Sequence, residues 1–237
     1  MNAQHELDQL KSWWRKQHLS FSRGELIADG VIHTIGFALT LALGSVLIAF
    51  AVAYTAREEA PALILYVVSL LTLLGVSLAY NLWPESRAKD VLARFDQAAI
   101  FLFIAATYAP FLVLIRDSSI GVILSALVWG GAIVGMALKL TIPQRFGRIA
   151  IPLYLAIGWS GVIAIQLLAD TLPTATLWLI VAGGVVYSLG LVFHLWSRLR
   201  FQNAVWHGFV VAGASLHLTA MLHCMVIDRL AMTAIGA

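Results

Sequence analysis

The sequence predicts an all-α integral membrane protein: a seven-transmembrane-helix bundle with the N-terminus cytoplasmic and the C-terminus external. Three observations carry this reading. Of 237 residues, 61% are hydrophobic and only 11% charged, where soluble domains run near a quarter charged, and the mean hydropathy is +0.89. Seven apolar stretches each approach the roughly 20 residues that a helix needs to cross the hydrocarbon core. Lys and Arg fall overwhelmingly into alternate connections. The same composition excludes a soluble enzyme and a disordered chain. The net charge of +3 is spread thinly and forms no basic face, so no nucleic-acid partner is expected. A single cysteine, Cys224, excludes an intramolecular disulfide framework, a Cys-rich zinc module and a CxxC redox pair.

The spans read in order as 29–54, 61–83, 96–115, 119–140, 149–169, 175–196 and 204–226. Breaker residues punctuate several joints: W-P-E-S at 83–86, I-P-Q-R-F-G at 142–147 and T-L-P-T at 171–174. No linker separates two domains, so residues 29–235 form one membrane domain behind a cytoplasmic segment, 1–28. In that segment Leu7, Leu10, Trp14 and Phe21 recur at near-helical spacing with basic residues between them. An amphipathic helix lying on the inner membrane surface is therefore expected. The segment has no long apolar core and no cleavage site, so it does not read as a signal peptide. Gly131 and Gly135 form a GxxxG in the fourth span, a pattern common in membrane helices.

Twelve of the fifteen basic residues lie in the N-terminal segment and the second, fourth and sixth connections. They are Lys11, Arg15, Lys16 and Arg23; Arg87, Lys89 and Arg94; Lys139, Arg145 and Arg148; Arg198 and Arg200. Arg57, Arg116 and Arg229 lie on the other side. Positive charge stays in the cytoplasm, which sets the orientation.

An ionisable group inside a membrane is costly enough to need a reason. Glu25, Asp29 and His33 step by four along the start of span one and share a face. Ser77 and Asn81 end span two, Asp96 opens span three, and Asn203 and His207 open span seven. All of these ends lie at the cytoplasmic level, so four helices place polar groups in one layer. Asp96, as a carboxylate at a helix start, also suits the helix dipole. His217 lies ten residues beyond His207, about 15 Å along a helix, and reads as a packed histidine. His194 and His223 have no partner visible in the sequence.

These stretches resemble a family. S-L-A-Y-N-L-W-P-E-S-R-A-K-D-V-L-A-R-F-D-Q-A-A-I-F-L-F-I-A-A-T-Y-A-P-F (77–111) is similar to the second and third helices of the hemolysin III proteins. They are the bacterial branch of the progestin and adiponectin receptor (PAQR) superfamily. E-L-I-A-D-G-V-I-H-T-I-G (25–36), G-G-V-V-Y-S-L-G (183–190) and W-H-G-F-V-V-A-G-A-S-L-H (206–217) resemble its first, sixth and seventh helices, in order. The resemblance implies a zinc site at the cytoplasmic end. In the family pattern a Ser-x-x-x-His ends helix two, an Asp begins helix three and a His-x-x-x-His begins helix seven. The three histidines hold the metal and the aspartate holds a metal-bound water, an arrangement tied to lipid amide hydrolysis.

Here Ser77 and Asp96 match, at the positions the resemblance makes catalytic, but Asn81 and Asn203 stand where two zinc histidines belong. His207 alone matches a ligand. A carboxamide oxygen is a poor zinc ligand beside imidazole, so the expected state carries no cofactor, with zinc the alternative. A rearranged site would draw on His207 with His33 and Asp96. The first functional reading is a lipid-binding or membrane-state-sensing protein with membrane lipids as partners. Its polar inner-leaflet cavity would be built from Glu25, Asp29, His33, Asn81, Asn203, His207 and His217. The alternative is a zinc-dependent, ceramide-like amide hydrolase with rearranged ligands. A proton or ion pathway ranks third, because the outer halves of the helices carry few polar groups.

Overall fold

The structure, a computed structural model, describes residues 21–55, 59–84 and 86–230, with backbone only at 144, 145, 147 and 148. The expected amphipathic helix at the N-terminus therefore falls almost entirely outside the described residues. Seven helical segments are long and apolar enough to cross a membrane, and no strand occurs among the described residues.

The first helix, α1, covers Arg23–Tyr54 and starts six residues ahead of the expected span. Ser22 and Glu25 explain the early start: they form a reciprocal capping box that satisfies the first backbone donors. Asp29, His33, Gly36, Thr40, Gly44, Leu47 and Ala51 form its buried stripe, while Ile27, Val31, Ile35 and Val46 face outward. Next come α2, Glu59–Leu82, and α3, Arg87–Leu114. The Ser86 hydroxyl caps α3 at the Lys89 amide, nine residues before the expected start at 96. Asp96 therefore lies well inside α3, and the reading of it as a partner for the helix N-terminus is corrected. The polar first turns lie ahead of the apolar core, and apolar length alone does not register them.

Helix α4 runs Ser119–Thr141. The Cβ that Gly135 lacks would lie 2.4 Å from Phe101, so the small residues of the fourth span let α3 approach. The fifth span was expected unbroken, but it is α5 (Pro143–Gly158), a 3-10 turn (Ser160–Ala164) and α6 (Ile165–Thr171). Tyr108 of α3 stitches the break. Its hydroxyl donates to the Gly158 carbonyl at 2.5 Å and accepts from the Gly161 amide at 3.0 Å. Backbone groups freed inside a membrane need such partners. Helix α7 covers Thr174–Leu195, and α8 covers Gln202–Leu222 before a π turn at His223–Ile227.

The largest core cluster lies between α1, α2, α3 and α8, around Leu47, Leu63, Tyr66, Leu70, Phe103 and Met221. A second packs α3, α4 and α5 through Phe101, Leu124, Val128 and Tyr154. Helix α1 packs on both α2 and α8, which brings the first and last helices together at the polar layer. At the opposite end the Arg229 guanidinium clasps Glu59 in two hydrogen bonds, 2.6 and 2.9 Å.

Candidate functional site

The buried stripe of α1 ends in Asp29 and His33, 2% and 1% exposed. Across the α1–α8 contact, His207 Nδ1 lies 2.6 Å from Asp29 Oδ1. An ionised carboxylate only accepts, so the proton of His207 is assigned to Nδ1, leaving Nε2 as an acceptor. That Nε2 faces the Ser77 hydroxyl at 3.2 Å, from the last turns of α2. The His33 and His207 rings meet edge to face, with centroids 4.3 Å apart. His33 Nδ1 lies 2.9 Å from the Asp29 carbonyl oxygen, which assigns its proton there. Its Nε2 and the Asp29 Oδ2 are buried without a hydrogen-bond partner. An unpartnered buried acceptor is uncommon and calls for a ligand, a water or a function.

The two asparagines hold each other. Asn203 Nδ2 donates to Asn81 Oδ1 at 2.9 Å, tying α8 to α2. Asn81 Nδ2 donates to the Ser77 carbonyl at 2.9 Å and lies 3.5 Å from Ser77 Oγ. Asn81 thus uses both its acceptor and its donor, which a metal-bound imidazole at that position would not do.

Asp96 approaches the cluster from α3 on the side of Ser77, within electrostatic range of His207 and Lys139. It stands outside the close carboxylate–imidazole group. The structure groups Asp29, with His33 and His207, so that one ligand atom from each lies within 4.8 Å of the others. A site drawn from His33, His207 and Asp96 is corrected to that extent: the turn of α1 puts the carboxylate of Asp29 2.6 Å from His207 Nδ1 and 3.5 Å from His33 Nδ1, and Asp96 approaches from α3 on the side of Ser77.

The other expected members are placed elsewhere. Glu25 is occupied as a cap: its carboxylate takes the Ser22 amide and hydroxyl and the Phe201 amide at 3.0 Å. It thereby fixes the left-handed turn at Phe201 that opens α8. His217 sits deep between α7 and α8, its Nε2 3.1 Å from the Ile180 carbonyl oxygen. Its ring fills a niche that only Gly183 leaves, since a Cβ there would come within 2.5 Å of it. His194 packs beside Trp206, and His223 Nδ1 lies 3.2 Å from Thr176 Oγ1.

One polar residue of this layer escaped the sequence reading. Lys139, counted as a connection charge, is 3% exposed in the last turn of α4. Its ammonium donates to Gln97 Oε1 at 2.5 Å and lies within electrostatic range of Asp96. Tyr154 of α5 donates to the Gln97 carbonyl at 2.8 Å. The signal was present: Lys139 is embedded in M-A-L-K-L-T, ahead of the proline that ends the helix.

Residues 25–218 match the family described as "Haemolysin-III related". The chain belongs to the hemolysin III family. It is 32% identical over 211 residues to the "Hemolysin-3 homolog" of Bacillus subtilis (strain 168), covering 89% of this chain and 99% of that protein. It is 32% identical over 198 residues to "Hemolysin-3" of Bacillus cereus, covering 84% and 90%. The human "Monocyte to macrophage differentiation factor" is 28% identical over 163 residues, covering 66% and 67%, which fits the PAQR superfamily. No solved structure matches. As a hemolysin III family member with seven apolar helices, the chain is a multi-pass protein of the inner membrane.

Against the family's zinc pattern, the ligand set at positions 81, 203 and 207 does not fit: two of its three donors are carboxamides already bonded to each other. Asp29, His33 and His207 do offer a donor set of the right chemistry, one carboxylate and two imidazoles.

Proposed function

We propose that this hemolysin III family member binds a lipid of the inner leaflet, through a polar site held by hydrogen bonds where its family pattern places zinc. The observation that carries the reading is the Asn203–Asn81 hydrogen bond of 2.9 Å. It joins α8 to α2 at the two positions where imidazoles would meet on an ion, and so supplies the cross-link without one. The basic residues of the alternate connections support a cytoplasmic placement of this end.

Beside the polar cluster, a narrow cleft, mostly apolar but with Thr40 and Ser215 in its wall, lies between α1, α2 and α8. Gly36, Leu39, Leu70, Leu74, Val211 and Leu218 line it. Gly36 follows His33 by three residues, Leu74 precedes Ser77 by three, and Val211 follows His207 by four. Each therefore lies one turn deeper on the same helix face. An acyl chain in the groove would present its polar end to the cluster.

The test is mass spectrometry of lipids retained by detergent-purified protein. One acyl lipid enriched over the surrounding membrane, and displaced in Gly36→Leu, is expected. Retention of the bulk membrane composition in both proteins would refute the reading.

A second reading has its own support in the Asp29, His33 and His207 group. If it held zinc, those three residues would bind it, and the metal would supply an activated water. Elemental analysis decides: about one zinc per chain, lost in His33→Ala, would establish it.

A further inference from the structure

We propose that Ser77, His207 and Asp29 form a metal-independent acyl-transfer triad that cleaves the carboxylic ester of a membrane lipid. The proposal rests on the lipid reading above, because the groove beside the triad is what would present the ester.

The geometry follows the order nucleophile, base, orienter. Ser77 Oγ lies 3.2 Å from His207 Nε2, and His207 Nδ1 lies 2.6 Å from Asp29 Oδ1. The carboxylate sets the tautomer in which Nε2 is free to take the serine proton. Three helices supply the three groups, α2, α8 and α1, and each group is at least nine-tenths buried. The Asp29–His207 hydrogen bond is thus shielded from competing water, which strengthens it.

The residues that displace the family's zinc ligands acquire a role in this arrangement. Asn81 Nδ2 donates to the Ser77 carbonyl at 2.9 Å and lies 3.5 Å from Ser77 Oγ, which keeps an amide donor beside the nucleophile. A side-chain amide is a recognised donor to the oxyanion of a carbonyl under attack. Asn203, bonded to Asn81 Oδ1, fixes which way that amide faces.

The chemistry balances without a cofactor. Ser77 Oγ bonds to the ester carbonyl carbon while its proton moves to His207 Nε2, and the imidazolium is held by Asp29. The tetrahedral adduct then breaks its bond to the alcohol oxygen, which receives the proton from Nε2. An acyl ester on Ser77 results. Water adds to that ester, giving one proton to Nε2. The bond to Ser77 Oγ breaks, the proton returns to Oγ, and the carboxylic acid leaves. The sum is ester plus water giving acid plus alcohol.

The experiment treats the full chain in detergent micelles with a fluorophosphonate probe, then locates the adduct by peptide mass spectrometry. The expected result is one adduct on Ser77, insensitive to a metal chelator and absent in Ser77→Ala. Labelling should slow at least tenfold in His207→Gln and in Asp29→Asn. Phosphatidylglycerol in the micelles should release fatty acid with the same pattern. A wild-type chain that retains its lipid yet takes no probe overturns the triad and leaves lipid binding intact. Labelling without any enriched lipid supports the triad and overturns the binding reading. Labelling abolished by chelator, or unchanged in His207→Gln, also overturns the triad.

Discussion

Asp29 and His207, 178 residues apart, meet at 2.6 Å between the first and last membrane helices. Their contact closes the α1–α8 seam at the polar layer and orients the imidazole toward Ser77. Both side chains are buried, 2% and 7% exposed, so the pair is judged by what happens when one partner is removed. Stranding a buried charge typically costs about 3–5 kcal/mol.

His207→Ala, which strands the Asp29 carboxylate, is therefore expected to destabilise the protein by about 3 kcal/mol, with Asp29→Ala costing less and the double variant falling short of the sum. Unfolding in mixed micelles with increasing SDS reads all three. Additive losses would show that the two side chains do not depend on each other.

Restoring imidazoles should restore metal binding. In Asn81→His/Asn203→His the donors at 81, 203 and 207 become three imidazoles facing one another across α2 and α8. About one zinc per chain by elemental analysis is expected, removable by chelator. Each single variant should bind far more weakly, because one added ligand still leaves a carboxamide in the set.

Lys139→Met should strand Gln97 Oε1 and remove a cation within electrostatic range of Asp96. A loss of about 1–3 kcal/mol is expected for a buried acceptor left unpaired. Adding Asp96→Asn should recover part of it, since the neutral amide no longer needs the counter-charge. The same SDS titration measures both variants.

Gly183→Ala should be destabilising although both residues are small and helix-forming. The new methyl would lie 2.5 Å from the His217 ring, and overpacking of this kind costs about 1–3 kcal/mol. His217→Ala in the same chain should relieve the clash, so a thermal shift smaller in the double variant than in Gly183→Ala is the expected reading.

The seven spans, the absence of strands among the described residues and the shared level of the polar residues were legible in the sequence, because hydrocarbon imposes length and apolarity on every crossing segment. Helix starts were less so. Ser22 and Ser86 cap α1 and α3 ahead of their apolar cores, and a hydropathy reading does not register a cap. The broken fifth span was hidden for a similar reason: its sequence is apolar throughout, and the break exists because the Tyr108 hydroxyl of another helix satisfies the freed backbone.

The site divides in the same way. From sequence alone, i and i+4 spacing put Asp29 with His33, Ser77 with Asn81, and Asn203 with His207, since those pairs are made by one helix each. Composition determined that such residues must be buried together at one end. Which carboxylate serves which imidazole was decided only by the packing. The rotation of α1 brings Asp29 rather than Asp96 against His207, and the fold of α4 against α3 turns Lys139 inward to Gln97. Helical periodicity acts within a segment, whereas the angle at which two helices pack depends on every side chain along their contact. That second quantity is a property of the tertiary structure.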